Sequence, residues 1–194
     1  MKQNIKKQIA GSIDVKQRLL DSEDVIKAVE GAAATIITAF KAKKKLMIAG
    51  NGGSAADSQH LAAEFVNRFG FDRPGLPAIA LSTDTSILTA VGNDSSFDKV
   101  FSRQIEALGN PGDVFLGIST SGTSHNLVDA LNACRRQKIV TIGLTGIYGG
   151  QMKDLCHICI KIPSGETPRI QEAHILIMHI ICSLVEEELF GNKK

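Results

Sequence analysis

A chain of 194 residues, 43% hydrophobic and 22% charged, has the composition of one soluble globular domain with an ordinary core. Its net charge of +2 comes from scattered lysines and arginines, and it has no Trp and one Tyr, Tyr148. These numbers argue against a broad basic face for nucleic acid and against an aromatic ladder for single strands. The N-terminal stretch MKQNIKKQIAGSID lacks the apolar core of a signal peptide, and no stretch is apolar over the ~20 residues of a membrane span. Cys156 and Cys159 form a C-x-x-C pair, but it lies in the β-branched run HICIKIP and has no second pair. Buried free thiols fit that context better than a redox centre or a zinc ribbon, which implies a reducing, cytoplasmic compartment.

Taken in order, residues 3–42 read as helix throughout. Ile5, Ile9 and Ile13 give a rough apolar stripe, and Val25, Ala28, Val29, Ala32 and Ile36 a clearer one after the capping run Asp21-Ser22-Glu23-Asp24. An apolar stripe left exposed on such an arm suits packing on a second subunit. The basic run Lys41–Lys45 then falls at a helix end, where cations complement the dipole. From residue 44 the pattern alternates. Short, nearly continuous apolar runs at 46–50, 77–81, 114–119, 139–146 and 157–163 read as strands. Helical patterns fall at 54–69, about 86–108, 124–137 and 168–190. Continuous apolar strands separated by helices predict a parallel sheet buried on both faces, with right-handed crossovers. With no linker or repeat, residues 1–194 read as a single domain, helical over 1–43 and α/β over 44–194.

Ligands of such sheets bind beyond the carboxyl ends of the strands, where the unusual loops of this chain fall. The first strand leads into AGNGGS and then a helix bearing His60 and Glu64, four residues apart and so about 40° apart around the helix. Free N–H groups at that helix start suit an anion, and His60 with Glu64 suits acid/base or metal chemistry. The loop is neither a dinucleotide fingerprint, since position 55 is Ala, nor a Walker loop, since no Gly-Lys-Ser/Thr follows. The third strand ends in STSGTSHN, where Ser119, Thr120, Ser121 and Ser124 cluster around Gly122. A helix cap needs one or two hydroxyls, so four favour a phosphate site. Asn93 and Asp94, after Gly92, fit a helix end as well as a polyhydroxyl ligand. On the last helix, Gln171 and His179 share one face, and an imidazole among apolar neighbours needs a partner such as His60 or Glu64. His60, Glu64, Gln171 and His179 would together make a nitrogen/oxygen set suited to zinc. His125 and His157 read as structural or surface residues.

GNGGSAADSQHLAAE, VGND, GISTSGTS and RIQEAHILIMHIICSLVE together resemble the sedoheptulose-7-phosphate (phosphoheptose) isomerase family of SIS domains, over nearly the whole chain. The resemblance implies a three-layer α/β/α sandwich around a five-stranded parallel sheet (the SIS fold), preceded by N-terminal helices. It implies an aldose–ketose isomerase, a homotetramer with active sites at subunit interfaces, and one zinc per subunit. It implies Asn51, Gly52, Gly53 and Ser54 as a first substrate loop, and Asn93 and Asp94 as a second. Ser119, Thr120, Ser121 and Ser124 match the phosphate clamp and Gln171 a substrate and metal contact. Glu64 and His179 match the catalytic pair, with Glu64 also touching substrate, and His60, Glu64, Gln171 and His179 match the zinc site. Pro168 stands where some members carry an acidic residue proposed to assist. A related group of SIS proteins binds the bacterial replication initiator without isomerase activity and tends to lack the counterparts of Glu64 and His179. This chain has both, which favours the enzyme. A sugar-phosphate-sensing regulator would usually carry a further module, for which no residues are left over.

Overall fold

The computed structural model describes residues 1–191. Two helices lead, α1 (Lys2–Leu20) and α2 (Glu23–Lys41), divided at Asp21-Ser22. Ser22 caps α2 by accepting the Val25 N–H at 3.4 Å, and Glu23 and Asp24 place negative charge in its first turn. The helical stretch over 3–42 is thus two helices, divided at the capping run where the sequence places the start of the second. Arg169 donates to the Gln8 carbonyl at 2.5 Å and ties α1 to the last helix.

Strands β1 (Leu46–Gly50), β2 (Ala78–Ala80), β3 (Val114–Ser119), β4 (Val140–Thr145) and β5 (Ile158–Lys161) form a parallel sheet in the order β2-β1-β3-β4-β5. The apolar runs are continuous because both faces are covered. Leu46 and Ile48 point into one core while Met47 and Ala49 point into the other. The first core is roofed by α1, α2, α3 (Gly53–Val66) and α8 (Thr167–Phe190), the second by α5 (Ser102–Leu108), α6 (His125–Arg136) and α7 (Met152–Leu155). This is the α/β/α sandwich with a five-stranded parallel sheet.

The helix expected over 86–108 is instead α4 (Thr85–Asp94), a 3-10 turn at Phe97–Lys99, and α5. The cause is the polar run Asn93-Asp94-Ser95-Ser96. The N–H groups of Ser95 and Ser96 both turn back to the Val91 carbonyl, and the Ser96 hydroxyl accepts the Asp98 N–H at 3.0 Å. Such side chains compete with the helix for its own backbone. Strand β5 is shorter than the expected 157–163, and α7, a single turn, was not anticipated.

Strand order reverses between β1 and β3, since β1 leads outward to β2 while β3 leads to β4 and β5 on the other side. The carboxyl ends of these two strands, Gly50 and Ser119, therefore flank the crevice where α/β sheets bind ligands.

Candidate active site

The turn after β3 is built from its own hydroxyls. Ser119 Oγ accepts the Gly122 N–H at 3.1 Å and lies 3.0 Å from Ser124 Oγ and 3.4 Å from Ser121 Oγ. Ser121 Oγ in turn accepts the Thr123 N–H at 3.2 Å. Ser124 is the N-cap residue of α6, yet its hydroxyl faces Ser119 instead of capping. Its carbonyl takes the N–H groups of Leu127 and Val128, so those of His125 and Asn126 are the outward donors of the helix start. A backbone embrace supports the loop from behind. Gly122 sits at φ +69°, and a Cβ there would stand 2.1 Å from the Gly149 carbonyl oxygen. The Met152 N–H donates to the Gly122 carbonyl and the Gly146 N–H to the Thr120 carbonyl.

The turn after β1 is joined to this loop by an amide pair. Asn51 Nδ2 donates to Asn126 Oδ1 and Asn126 Nδ2 donates to Asn51 Oδ1, both at 2.9 Å, across the reversal of strand order. Gly52 has φ +56°, and Ser54 is buried in the first turn of α3. Gly53 leaves room for a visitor from α8: a Cβ there would lie 2.5 Å from Gln171 Nε2. The structure thus brings Asn51, Gly52, Gly53 and Ser54 to one turn, with the Gln171 amide against it.

Farther along α3, His60 Nε2 lies 2.9 Å from Glu64 Oε1. The ring of His179, from α8, meets that of His60 edge-on at 5.1 Å and that of Phe69 at 5.5 Å. One ligand atom each from His60, Glu64 and His179 falls within 4.8 Å of the other two. Two imidazoles and a carboxylate at such separations fit zinc or a similar borderline metal. Three of the four residues expected at the metal are gathered here. The fourth, Gln171, has its amide beside Gly53, seven residues before His60 and so about 10 Å away along α3. Asn93 and Asp94 lie exposed in the last turn of α4, joined by an Asn93 Nδ2 to Asp94 Oδ1 bond of 2.7 Å.

Two residues near these elements, Asn126 and Asp57, are not marked by the sequence, and His174 on the last helix proves to be a core histidine. Asn126 has its role set by a partner 75 residues away. Asp57, one turn before His60, has a buried Oδ2 with no hydrogen-bond partner among the described residues. Burial raises its pKa, an effect that the nearby His60 only partly offsets. His174 is wholly buried on α8 with Nε2 3.3 Å from the Thr145 carbonyl. Burial pushes its pKa down to about 4, against the smaller effect of that bond, so the ring is neutral and donates from Nε2. His157 is structural, its Nδ1 accepting the Thr141 N–H at 3.1 Å, and His125 is exposed at the start of α6. The cysteines are free, as expected, with Cys134 and Cys182 buried and Cys156 and Cys159 half-buried. Burial raises the Cys134 thiol to about 12, which makes it inert.

The SIS domain family model matches residues 13–146. Over 193 residues the chain is 55% identical to a phosphoheptose isomerase of Aneurinibacillus thermoaerophilus, covering 100% of this chain and 98% of that one. It is 58% identical to phosphoheptose isomerase 2 of Campylobacter jejuni, over 96% of this chain and 93% of the relative. The solved phosphoheptose isomerase of Neisseria gonorrhoeae superposes with a TM-score of 0.90 at 40% identity, covering 96% and 98% of the two chains. A doubly covered parallel sheet, a hydroxyl-rich loop at its point of reversal and a His/Glu/His cluster thus coincide with close relatives along the full length. The chain belongs to the phosphoheptose isomerase family of SIS-domain proteins.

Proposed function

We propose that this protein converts sedoheptulose 7-phosphate to D-glycero-D-manno-heptose 7-phosphate through a cis-enediol. This is the first step of ADP-heptose synthesis for the heptose of lipopolysaccharide core or related surface glycans. The observation that carries the reading is the pairing of a turn where the Ser119, Ser121 and Ser124 hydroxyls gather with a separate carboxylate–imidazole cluster, in a chain 55% identical to a phosphoheptose isomerase. The hydroxyls of Ser119, Thr120, Ser121 and Ser124, with the first N–H groups of α6, hold the phosphate. Asn51, Gly52, Gly53, Ser54, Asn93, Asp94 and Gln171 bind the sugar.

Isomerisation of the ketose removes a proton from C1 and returns one to C2. Glu64 does this work, with Oε1 facing His60 and Oε2 left for the proton. His179 gives a proton to the C2 oxygen as the C1 proton leaves, so the enediol forms without net charge, and takes the C1 hydroxyl proton as C2 is reprotonated. Zinc held by His60, Glu64 and His179, with Gln171 swung in as a fourth ligand, would stabilise negative charge developing on those oxygens.

The site is shared between copies of a homotetramer in the cytoplasm. Glu64 lies eleven residues beyond Gly53, about 16 Å along α3, whereas six C–C links of ~1.5 Å span at most ~9 Å. Ile5, Ile9 and Ile13 on α1 are exposed, and Leu20, Ile26, Ile180 and Leu184 line an apolar groove of about 630 Å³ between the N-terminal helices and α8. A second copy of the chain is the occupant that suits it. No helix of the described residues is long and apolar enough to cross a membrane, and the four free thiols suit a reducing compartment.

The reading is tested by following the anomeric proton of the aldose in purified protein given sedoheptulose 7-phosphate. Aldoheptose phosphate should accumulate. Its absence with and without zinc, alongside tight binding to the replication initiator, would make the chain a regulator. A Ser121→Ala/Ser124→Ala chain should raise KM at least ten-fold with little change in kcat. Coassembled with a Glu64→Gln chain, it should regain wild-type behaviour in about a quarter of sites if each site draws on two copies. No recovery would place the serine loop and the Glu64 of a site on one chain.

A further inference from the structure

Arg73 and Glu186 form an ion pair that is 2% and 3% exposed, outside any residue assigned to the reaction. An isolated pair so deeply buried costs more in desolvation than it returns, unless its remaining donors and acceptors are used. Here nearly all are used, and on backbone groups next to the His/Glu/His cluster. Arg73 Nη2 donates to the Glu64 carbonyl at 2.8 Å, and Nη1 to the Phe65 carbonyl at 2.6 Å and the Asn67 carbonyl at 3.2 Å. These belong to the end of α3, which has no glycine cap and no basic residue in its last turn. Glu186, on α8 like His179 and two turns beyond it, accepts the Phe69 N–H at 3.1 Å and the Gly70 N–H at 2.5 Å, besides Arg73 Nε at 2.9 Å. Burial would raise the Glu186 pKa, but those N–H groups and the guanidinium outweigh it and hold it lowered. Phe190 stacks over the guanidinium at 5.8 Å.

Two consequences meet at one place. The capped turn is the one that presents Glu64, and the anchored Phe69 is the residue whose ring lies 5.5 Å from that of His179. We infer that Arg73 and Glu186 are positioning residues that fix Glu64 and the His179 ring relative to each other by clamping the end of α3 and the Phe69–Gly70 turn onto α8. The inference rests on the proposed isomerase site, but the pair acts on the cluster whatever its substrate. It sets the geometry of proton transfer and metal binding and leaves the serine loop alone.

Three variants test this: Arg73→Lys, which keeps the charge but loses the fork; Glu186→Gln, which keeps the shape but loses the charge; and Phe69→Leu, which leaves the ion pair intact. For Arg73→Lys and Glu186→Gln, kcat should fall at least ten-fold while KM for the sugar phosphate changes less than two-fold. Zinc affinity of the metal-free protein, measured by competition with a chromophoric chelator, should weaken by about ten- to a hundred-fold, as when outer-shell partners of metal ligands are lost. Phe69→Leu, which should fold normally, should lower kcat several-fold at unchanged KM. A lower melting temperature with kcat and zinc affinity both unchanged would make the pair purely structural and overturn the inference. Should the wild-type protein fail to isomerise the sugar, the proposed function falls, and zinc affinity alone decides: unchanged values in Arg73→Lys and Phe69→Leu refute the positioning role.

Discussion

Glu64→Gln should lower kcat by about 10²- to 10⁴-fold, the range lost with a general base. The amide cannot take the C1 proton. It preserves the size of a side chain that is 24% exposed and carries no core packing, so folding and assembly should be untouched. KM should stay close to the wild-type value, because the hydroxyls proposed to hold the phosphate lie on the loop after β3. Steady-state kinetics with light scattering on the same sample separates these outcomes. A variant with more than a tenth of wild-type kcat would remove Glu64 from proton transfer and shift the base role to His179.

Gly122→Ala should damage the proposed phosphate loop and the fold together. At φ +69° an alanine is strained, by ~1–2 kcal/mol. The larger effect is steric, since the new methyl would stand 2.1 Å from the Gly149 carbonyl oxygen and 2.5 Å from its carbon. Both are backbone atoms, so the β4–α7 turn itself must retreat, carrying away the support that Met152 N–H gives the Gly122 carbonyl. A loss of ~3 kcal/mol or more in unfolding free energy is expected, the scale of special backbone positions. KM should rise more than ten-fold in the protein that remains folded. Urea unfolding and substrate titration check both, and unchanged values would mean that the loop does not need this close approach.

Parts of the molecule legible in the sequence are those where one residue type has one physical use. Val114–Ser119 and Val140–Thr145 are apolar at successive positions because each face of the sheet is covered, so strands could be placed without knowing their neighbours. The hydroxyls around Gly122 stand out by local composition alone, and Ser119, Ser121 and Ser124 do gather in one turn. Long-range pairing was hidden. Nothing about Asn126 announces that its amide will meet Asn51, nor about Arg73 that it will cap a helix ended seven residues earlier. The face that Gln171 shares with His179 is legible in the helix period, but the placement of its amide beside Gly53 is not. The break in 86–108 was missed because an apolar helical pattern continues through Val91 and Val100, and the serines between them act only through backbone bonds.

Isomerisation in deuterium oxide tests most directly whether the proton moves on a carboxylate that water can reach. Glu64 is 24% exposed and its partner His60 44%, so a proton held there exchanges with solvent. NMR of the aldoheptose phosphate formed in deuterium oxide should show deuterium at C2, approaching full labelling as the two sugars interconvert. Product that reaches equilibrium with protium kept at C2 would mean hydrogen passed directly from C1 to C2, and would contradict proton transfer through a solvent-reachable Glu64.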